Sequence, residues 1–274
     1  MRFHSFLAAL TAIAASHASA QEVWLTYEAS DGTLPSDQCW DLIRSGGPLP
    51  TLENGAVNIG PSSTGGYIYY TREMSIDFAQ GAAIEAEVFI DYSDYGSNPC
   101  GAGPRAGFYL TMFDVSGRLM YLGVGSNVVY LTADASRSHG PGSPIASVPM
   151  AGRWRTIRVE IESGVMTAFI DGVQTLTTAV NGPLFSTTRR ASFGDESVCA
   201  GSHSRVRSVR VLAREECRVD FNRDRFVDFF DYDAYVSCFE GGECPCDQTP
   251  DFNGDGFADF FDYDEFVASF ESGC

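Results

Sequence analysis

The stretch "WRTIRVEIESGVMTAFIDGVQTLTT", residues 154–178, decides the fold of most of the chain. Apolar and polar residues alternate along it, and this alternation is the period of a half-buried β-strand. The alternation breaks twice, at Ser163-Gly164 and at Asp171-Gly172. Such residue pairs between alternating runs predict tight hairpin turns. We therefore predict three consecutive antiparallel strands.

Other segments show the same alternation. They are "AAIEAEVFID" (82–91), "FYLTMFDVSGRLMYLGVG" (108–125), which carries a turn signal at Ser116-Gly117, and "SRVRSVRVLA" (204–213). Many short strands separated by turn signals predict an antiparallel β-sandwich. The fold class that we predict is mainly β, followed by a small α-helical part near the C-terminus.

The order of these segments resembles the concanavalin A-like (laminin G-like) jelly roll. The resemblance rests on the late hairpin of 154–178, followed by "FGDES" (193–197) and by a last alternating strand at 204–213. It implies a jelly-roll sandwich over residues 21–214. That fold is shared by lectins, carbohydrate-binding modules, glycoside hydrolases, lyases and adhesion modules, so the resemblance does not choose among these functions.

The first twenty residues have the pattern of a secretory signal peptide. Arg2 precedes an apolar stretch over residues 6–15, and an A-x-A sequence ends at Ala20. The apolar stretch is shorter than the roughly 20 residues that a membrane span requires, and no later segment is long and apolar enough. We predict an exported chain, secreted or at the cell surface, that does not span a membrane and whose mature form starts near Gln21.

The chain has eight cysteines, an even number that in an exported protein predicts disulfides. The sequence leaves the pairing open. We expect one group to belong to the first domain and another to the second, with Cys217 at the joint. The first group is Cys39, Cys100 and Cys199, and the second is Cys238, Cys244, Cys246 and Cys274.

Negative charge is concentrated at the C-terminal end. Residues 215–274 hold 17 Asp and Glu against three Arg, whereas residues 21–214 hold 19 against 14. Such a surface excludes nucleic acid as a partner. A disordered acidic tail would have few aromatic residues, but this segment has many. We therefore predict that the acidic side chains are cation ligands in a second domain over 215–274.

The acidic segment is a duplication: "DFNRDRFVDFFDYDAYVSCFE" (220–240) is followed by "DFNGDGFADFFDYDEFVASFE" (251–271). Each copy places oxygen donors at positions 1, 3, 5, 7, 9 and 12, the spacing of an EF-type calcium loop. We thus predict two calcium ions. The first site should be the weaker one, because Arg225 stands at position 6 of the first loop, where the second loop has Gly256. The predicted ligands are Asp220, Asn222, Asp224, the Phe226 carbonyl, Asp228 and Asp231 in the first copy, and Asp251, Asn253, Asp255, the Phe257 carbonyl, Asp259 and Asp262 in the second.

A helical apolar stripe follows each loop, and the two stripes are expected to pack face to face. The first helix should end at Gly241-Gly242 and the second at Ser272-Gly273. The stripe residues are Phe229, Tyr232, Val236 and Phe239 in the first copy and Phe260, Tyr263, Val267 and Phe270 in the second.

Two calcium loops of this spacing, each followed by one helix, resemble a type I dockerin module over residues 217–274. The resemblance implies calcium-dependent folding and docking to a partner protein. Dockerins that bind cohesins usually carry small polar residues just before the last ligand. Here those positions are Phe229-Phe230 and Phe260-Phe261, which argues against a cohesin as the partner.

The first domain gives little sign of catalysis. Retaining glucanases of this fold carry paired carboxylates about 5 Å apart on one strand. The nearest pattern here is Glu85-x-Glu87 with Asp91 on the same face, and Phe89 interrupts the spacing. An outward-facing polar strand surface explains these residues better.

A glycan site would need aromatic rings for stacking, and the candidates are Trp40, Tyr92 and Tyr95. We predict an exported, non-catalytic binding protein that recognises a glycan through the sandwich and docks through the calcium module. The alternatives are a secreted glycoside hydrolase or lyase with a docking module, and a structural surface protein without a glycan ligand.

Overall fold

The computed structural model describes residues 22–60, 66–74, 76–96, 103–133, 138–180, 189–213, 217–222, 226–246 and 248–273. Several sequence predictions fall on residues outside these ranges. They are the signal peptide of residues 1–20, the ligand Asp224 with its neighbour Arg225, and the cysteines Cys100 and Cys274.

Two antiparallel sheets form a β-sandwich of jelly-roll type, as predicted. The first sheet has the order β15-β14-β13-β6-β17-β4-β3, with β1 also paired to β17. Its strands are β1 (Glu22–Glu28), β3 (Thr51–Glu53), β4 (Ala56–Ile59), β6 (Ala82–Ser93), β13 (Trp154–Glu162), β14 (Val165–Ile170), β15 (Val173–Ala179) and β17 (Ser202–Ala213).

The second sheet packs against the first and has the order β12-β11-β10-β9-β16-β5-β2. A short separate hairpin pairs β7 (Tyr95–Gly96) with β8 (Arg105–Ala106). The strands of the second sheet are β2 (Asp41–Arg44), β5 (Ile68–Glu73), β9 (Phe108–Phe113), β10 (Leu119–Gly125), β11 (Val128–Thr132), β12 (Ile145–Ser147) and β16 (Arg190–Asp195).

The hairpins predicted from residues 154–178 are present. Strand β13 pairs with β14, and β14 pairs with β15. Both central residues of each turn have positive φ: +50° and +76° at Ser163 and Gly164, +52° and +76° at Asp171 and Gly172. A pair of positive φ values is the signature of the type I′ turn, whose twist matches that of the flanking strands.

The main core lies between the two sheets and is centred on aromatic rings from both. The Phe193 ring on β16 lies 5.0 Å from the Trp40 ring, 5.5 Å from the Tyr70 ring and 6.1 Å from the Tyr27 ring, measured between centroids. All four side chains are almost fully buried. Burial of rings this large contributes much of the stability of such a sandwich.

The far face of the second sheet is also covered. Tyr109, Tyr121 and Tyr130 form a second buried cluster there, against Ala106 of the β7–β8 hairpin. Tyr130 lies flat across β10, where a Cβ atom added at Gly123 would collide with its ring. At β9, β10 and β11 the second sheet is therefore packed on both of its faces.

Two antiparallel helices form the C-terminal part, α1 (Phe229–Phe239) and α2 (Phe260–Ser272). They begin after Asp228 and Asp259, whose side chains accept hydrogen bonds of 2.8 Å from the N–H groups two residues later. An aspartate in this position caps the otherwise unpaired N–H groups of the first helical turn. The helices end where the Gly signals predict. No helix in the described part of the chain could cross a membrane.

The apolar stripes were predicted correctly in part. Tyr232, Tyr263 and Phe270 pack against the module core, as expected. However, Phe229 and Phe260 are each 69% exposed, and their rings lie beside Tyr232 and Tyr263 of their own helices. The centre of the core is instead the ring pair of Tyr235 and Phe266, stacked with centroids 3.9 Å apart.

One disulfide corrects the grouping of the cysteines. Cys39, assigned to the sandwich, is bonded to Cys246, assigned to the C-terminal part, across 207 residues of sequence. Arg72 on β5 supports the same contact by donating from Nη2 to the carbonyl of Cys246 over 3.2 Å. A second disulfide, Cys238–Cys244, closes the end of α1. The C-terminal helices are therefore clamped to the edge of the second sheet, at β2 and β5.

Candidate functional site

The second predicted calcium loop is held in shape by its own acidic side chains. The Asp251 carboxylate accepts hydrogen bonds from the N–H groups of Gly254, Asp255 and Gly256, at 2.8, 3.1 and 2.8 Å. The Asp255 N–H also donates to the Asn253 side-chain oxygen over 2.8 Å. The loop backbone thus wraps around the carboxylate at position 1, with φ of +93° at Gly256.

The carboxylate at position 12 closes each loop. Asp262 is fully buried and accepts from the N–H of Asn253 over 2.9 Å and from that of Asp259 over 2.8 Å. Asp231 is equally buried and makes the corresponding bonds in the first copy, from Asn222 at 2.9 Å and from Asp228 at 3.0 Å. Positions 3, 9 and 12 therefore have the same geometry in both loops.

Opposing effects act on the pKa of the Asp262 carboxyl. Burial raises it, while hydrogen bonds from the backbone N–H groups of Asn253, Asp259 and their neighbours lower it and prevail. Hydrogen bonds to a carboxylate stabilise its charged form. The lowered pKa means that Asp262 is held as an anion inside the loop.

The chemistry of this donor set suits a hard cation such as calcium, which takes six to eight oxygen ligands. A carboxylate has about four lone-pair sites, so the three N–H bonds to Asp251 and the two to Asp262 still leave room for a metal contact. Asp251, Asn253, Asp255, the Phe257 carbonyl, Asp259 and Asp262 would hold the second ion. Across the parts of the chain that are described, no three His, Cys, Asp or Glu side chains already converge into a metal cluster.

The three carboxylates singled out on β6 are paired with arginines. On the outer face of β6, Glu87 accepts from Arg207 over 2.7 Å, and Asp91 forms a two-bond pair with Arg205 at 2.9 and 3.1 Å. Glu85 lies 3.5 Å from an arginine of β13, Arg158. This ladder fits the predicted polar strand surface.

Aromatic rings lie beneath this ladder. The Arg205 guanidinium stacks 3.9 Å from the Phe89 ring centroid, and the Arg207 guanidinium 3.8 Å from the Trp154 ring. The two rings also meet edge to face. Stacked and ion-paired guanidinium groups have little freedom. The residue that broke the catalytic spacing, Phe89, thus supports the charge ladder.

The three aromatic residues predicted to contact a glycan are not brought together. Trp40 is only 1% exposed in the main core, which leaves no ring face for a ligand. Tyr95 packs against Tyr130, and its hydroxyl shares a 3.2 Å hydrogen bond with Nδ1 of His139. Tyr92 lies near the end of β6, exposed by 38%, with its ring 6.4 Å from that of His203.

The structure shows a different polar and aromatic cluster, on the outer face of β5 and β16, which the sequence analysis missed. The Tyr67 and Tyr69 rings lie 5.9 Å apart and are both half-buried. Arg190 donates to the Tyr69 hydroxyl over 3.4 Å and lies 3.4 Å from Glu196, which also accepts from Ser192. In register, Tyr69 on β5 lies opposite Gly194 and Arg190 on β16 lies opposite Glu73. The long Arg190 side chain therefore reaches along the paired strands to the Tyr69 hydroxyl.

The Arg190 cluster continues into buried hydroxyl groups. Thr111 and Ser192 are adjacent in register on β9 and β16, and both are fully buried. The Thr111 hydroxyl has no hydrogen-bond partner among the described residues. A buried hydroxyl without a partner carries a desolvation cost of about 1–3 kcal/mol.

No protein-family model matches the chain. No curated protein matches it either. Among solved structures, the catalytic domain of an endo-1,3-beta-glucanase (laminarinase) from Thermotoga petrophila is similar with a TM-score of 0.46 at 11% identity, over 72% of this chain and 99% of that one. The VIP36 exoplasmic/lumenal domain has a TM-score of 0.43 at 12% identity, over 65% of this chain and 85% of that one. The botulinum neurotoxin serotype D binding domain has a TM-score of 0.46 at 12% identity, over 70% of this chain and 48% of its own length. These likenesses concern the fold.

Proposed function

We propose that this protein is an exported, non-catalytic binding protein whose C-terminal module binds two calcium ions and docks the chain to another protein. The observation that carries the proposal is the repeated loop geometry. In both copies a buried aspartate at position 12 is held by the N–H groups of positions 3 and 9. The disulfides fit an oxidising, extracellular setting.

The acidic loops give calcium a structural role. Neighbouring carboxylates a few ångströms apart repel by roughly 1–4 kcal/mol per pair, depending on the local dielectric. A metal ion that binds only the folded loop adds its binding free energy to folding. The calcium-loaded module would therefore be the ordered form that presents a docking surface.

Equilibrium calcium binding to the full, oxidised chain tests this function. We expect two ions per chain, and one in Asp262→Asn, which removes the closing carboxylate of the second loop. Asp264→Asn is the matched control: it makes the same charge change two residues later, at an exposed site outside the loop. Absence of bound calcium in the wild-type chain, or an equal loss in the control, would overturn the proposal.

For the sandwich we propose a glycan ligand at the outer face of β5 and β16. Sugars are bound by ring stacking combined with a few polar groups, and Tyr67, Tyr69 and Arg190 provide both. We expect Tyr69→Ala to abolish retardation of the full chain in polysaccharide-containing gels, whereas Val173→Ala, on β15 of the other sheet, should leave it unchanged. Equal retardation of the Tyr69→Ala variant and the wild-type chain would exclude this face as the binding site.

A further inference from the structure

The two copies of the C-terminal module share a single row of aromatic rings. We call this row, Phe229, Tyr232, Tyr263 and Phe260, the aromatic band. Its successive ring centroids lie 6.2, 6.4 and 6.3 Å apart. The hydroxyl groups of Tyr232 and Tyr263 are hydrogen-bonded to each other where the helices meet. The band therefore runs without a gap from the start of α1 to the start of α2.

The ends of the band are open to solvent. Phe229 and Phe260 are each 69% exposed, and the neighbouring Phe230 and Phe261 are exposed by 67% and 70%. Among the described residues, every exposed phenylalanine lies in this module, whereas those of the sandwich are buried or half-buried. Exposed apolar surface of this extent marks an interaction site.

The charge around the band restricts its partner. Asp233, Asp264 and Glu265 are exposed on the same helices and lie outside the twelve predicted ligand positions, so calcium would leave them negative. Residues 215–274 hold 17 acidic residues and only three Arg. A second copy of this chain would meet the band with like charge and be repelled, whereas a cationic surface would be attracted.

We propose that the aromatic band is one docking surface, built by both copies together, for a protein whose apolar groove is edged by Arg or Lys. The proposal rests on the docking function proposed above and names the chemistry of its partner. The rings of Phe229 and Phe260 would enter the groove, and Asp233 and Asp264 would face its basic edge. Large rigid aromatic side chains are the usual anchors of protein interfaces.

A synthetic helical peptide with Leu on one face and Arg on the other serves as the probe. Its affinity for the full, calcium-loaded chain is measured by fluorescence anisotropy. We expect Phe229→Ser/Phe260→Ser to weaken binding at least tenfold, although the net charge of the protein is unchanged. Val173→Ser, at a valine of the sandwich that is 67% exposed, should leave the affinity within twofold. A Gly/Arg peptide of equal charge should bind weakly and equally to all three proteins.

The single variants test whether the two copies act together. If the band is one surface, Phe229→Ser and Phe260→Ser should each weaken the Leu/Arg peptide severalfold. If each copy docks alone, either single variant would keep nearly full affinity and only the double variant would lose it. The second result would overturn the single-surface proposal.

Three further results would overturn it. The first is equal peptide affinity of wild type and double variant. The second is self-association of the wild-type chain in sedimentation that the double variant lacks, which would make a second copy the occupant. The third is binding to phosphatidylcholine vesicles that depends on Phe229 and Phe260. Calcium stoichiometry is measured on the same samples. If the chain binds two calcium ions but fails these tests, the docking surface is wrong while the calcium proposal stands.

Discussion

At the scale of single residues, Gly256 carries the clearest backbone requirement of the C-terminal module. Its φ of +93° lies where residues with a side chain are strained, and its N–H donates to Asp251 over 2.8 Å. Glycine adopts such a backbone without steric cost, whereas other residues lose about 1 kcal/mol or more. The matching position of the first copy is Arg225, outside the described residues.

Exchanging these two residues should exchange the strengths of the two predicted sites. We expect Arg225→Gly to tighten the first site about fivefold and Gly256→Arg to weaken the second by at least as much, since about 1 kcal/mol is worth roughly a factor of five. Calorimetric titration of the full chain with calcium measures both affinities. Unchanged affinity at both sites would show that the residue at position 6 does not limit calcium binding.

Residue-level prediction succeeded where local spacing decides the outcome and failed where packing does. The cap positions, the turn at Asp171-Gly172 and the helix ends follow from short-range chemistry. Phe229 fits a helical stripe by its spacing, yet it is exposed, because the direction of a first-turn side chain depends on where the partner helix lies. Trp40 is a candidate for glycan stacking by residue type, but long-range packing against Phe193 buries it.

At the scale of secondary-structure elements, buried tyrosines make the sandwich sensitive to high pH. Burial raises the pKa of Tyr130 on β11 to about 12, and it raises the pKa of Tyr70 on β5 to about 12. A raised folded-state pKa gives stability that is complete below the unfolded value near 10 and is lost as the pH rises through 12. Neutral tyrosines in these strands are thus part of the folded state.

We therefore expect the free energy of unfolding to stay level up to about pH 10 and to fall by about 2 kcal/mol per buried tyrosine by pH 12. Urea unfolding of the oxidised chain between pH 8 and pH 12 measures the decline. Tyr70→Phe, which removes one titrating hydroxyl, should decline less steeply than wild type. A stability that is constant to pH 12 would contradict the pKa assignment.

The charge ladder on β6 gives a prediction about catalysis. Glu87 and Asp91 are ion-paired with Arg207 and Arg205 on the outer face of β6. We expect no release of reducing ends from a panel of β-glucans and other polysaccharides, in wild type or in Glu87→Gln. Release by the wild-type chain that Glu87→Gln abolishes would establish the hydrolase alternative instead.

At the scale of the whole molecule, the sandwich and the C-terminal helices are joined covalently. The Cys39–Cys246 disulfide and the hydrogen bond from Arg72 to Cys246 fix the module at one edge of the second sheet. The module is therefore not attached through a free linker alone. A change that orders the module should therefore also stabilise the edge of the sandwich, and a change at that edge should alter the stability of the module.

Removing this disulfide should separate the two parts. We expect Cys39→Ser/Cys246→Ser to lose about 3–5 kcal/mol of stability, because the bond closes a very long loop, and to unfold in two calorimetric transitions. Cys238→Ser/Cys244→Ser opens a loop with a sequence separation of only 6 and should cost less. An equal cost for the two variants, with a single transition in both, would contradict the coupling.

The general architecture followed from the sequence, while the connection between its parts did not. Alternation and turn signals predicted the antiparallel strands, and the duplicated segment predicted two helices. Eight cysteines allow many pairings, and no local pattern relates Cys39 to a residue 207 positions away. The cluster of Tyr69 and Arg190 was missed for the same reason, since sheet pairing across more than a hundred residues creates it.

Amide hydrogen exchange on the full, oxidised chain tests the central claim, that calcium orders the C-terminal module. With calcium we expect slow exchange for the N–H groups of α1 and α2 and for those of Asn253 and Asp259, which bond to Asp262. With a chelator these groups should exchange at least tenfold faster, while β13 and β14 of the sandwich stay unchanged. Equal protection of both helices with and without calcium would contradict the account and show that packing and disulfides hold the module on their own.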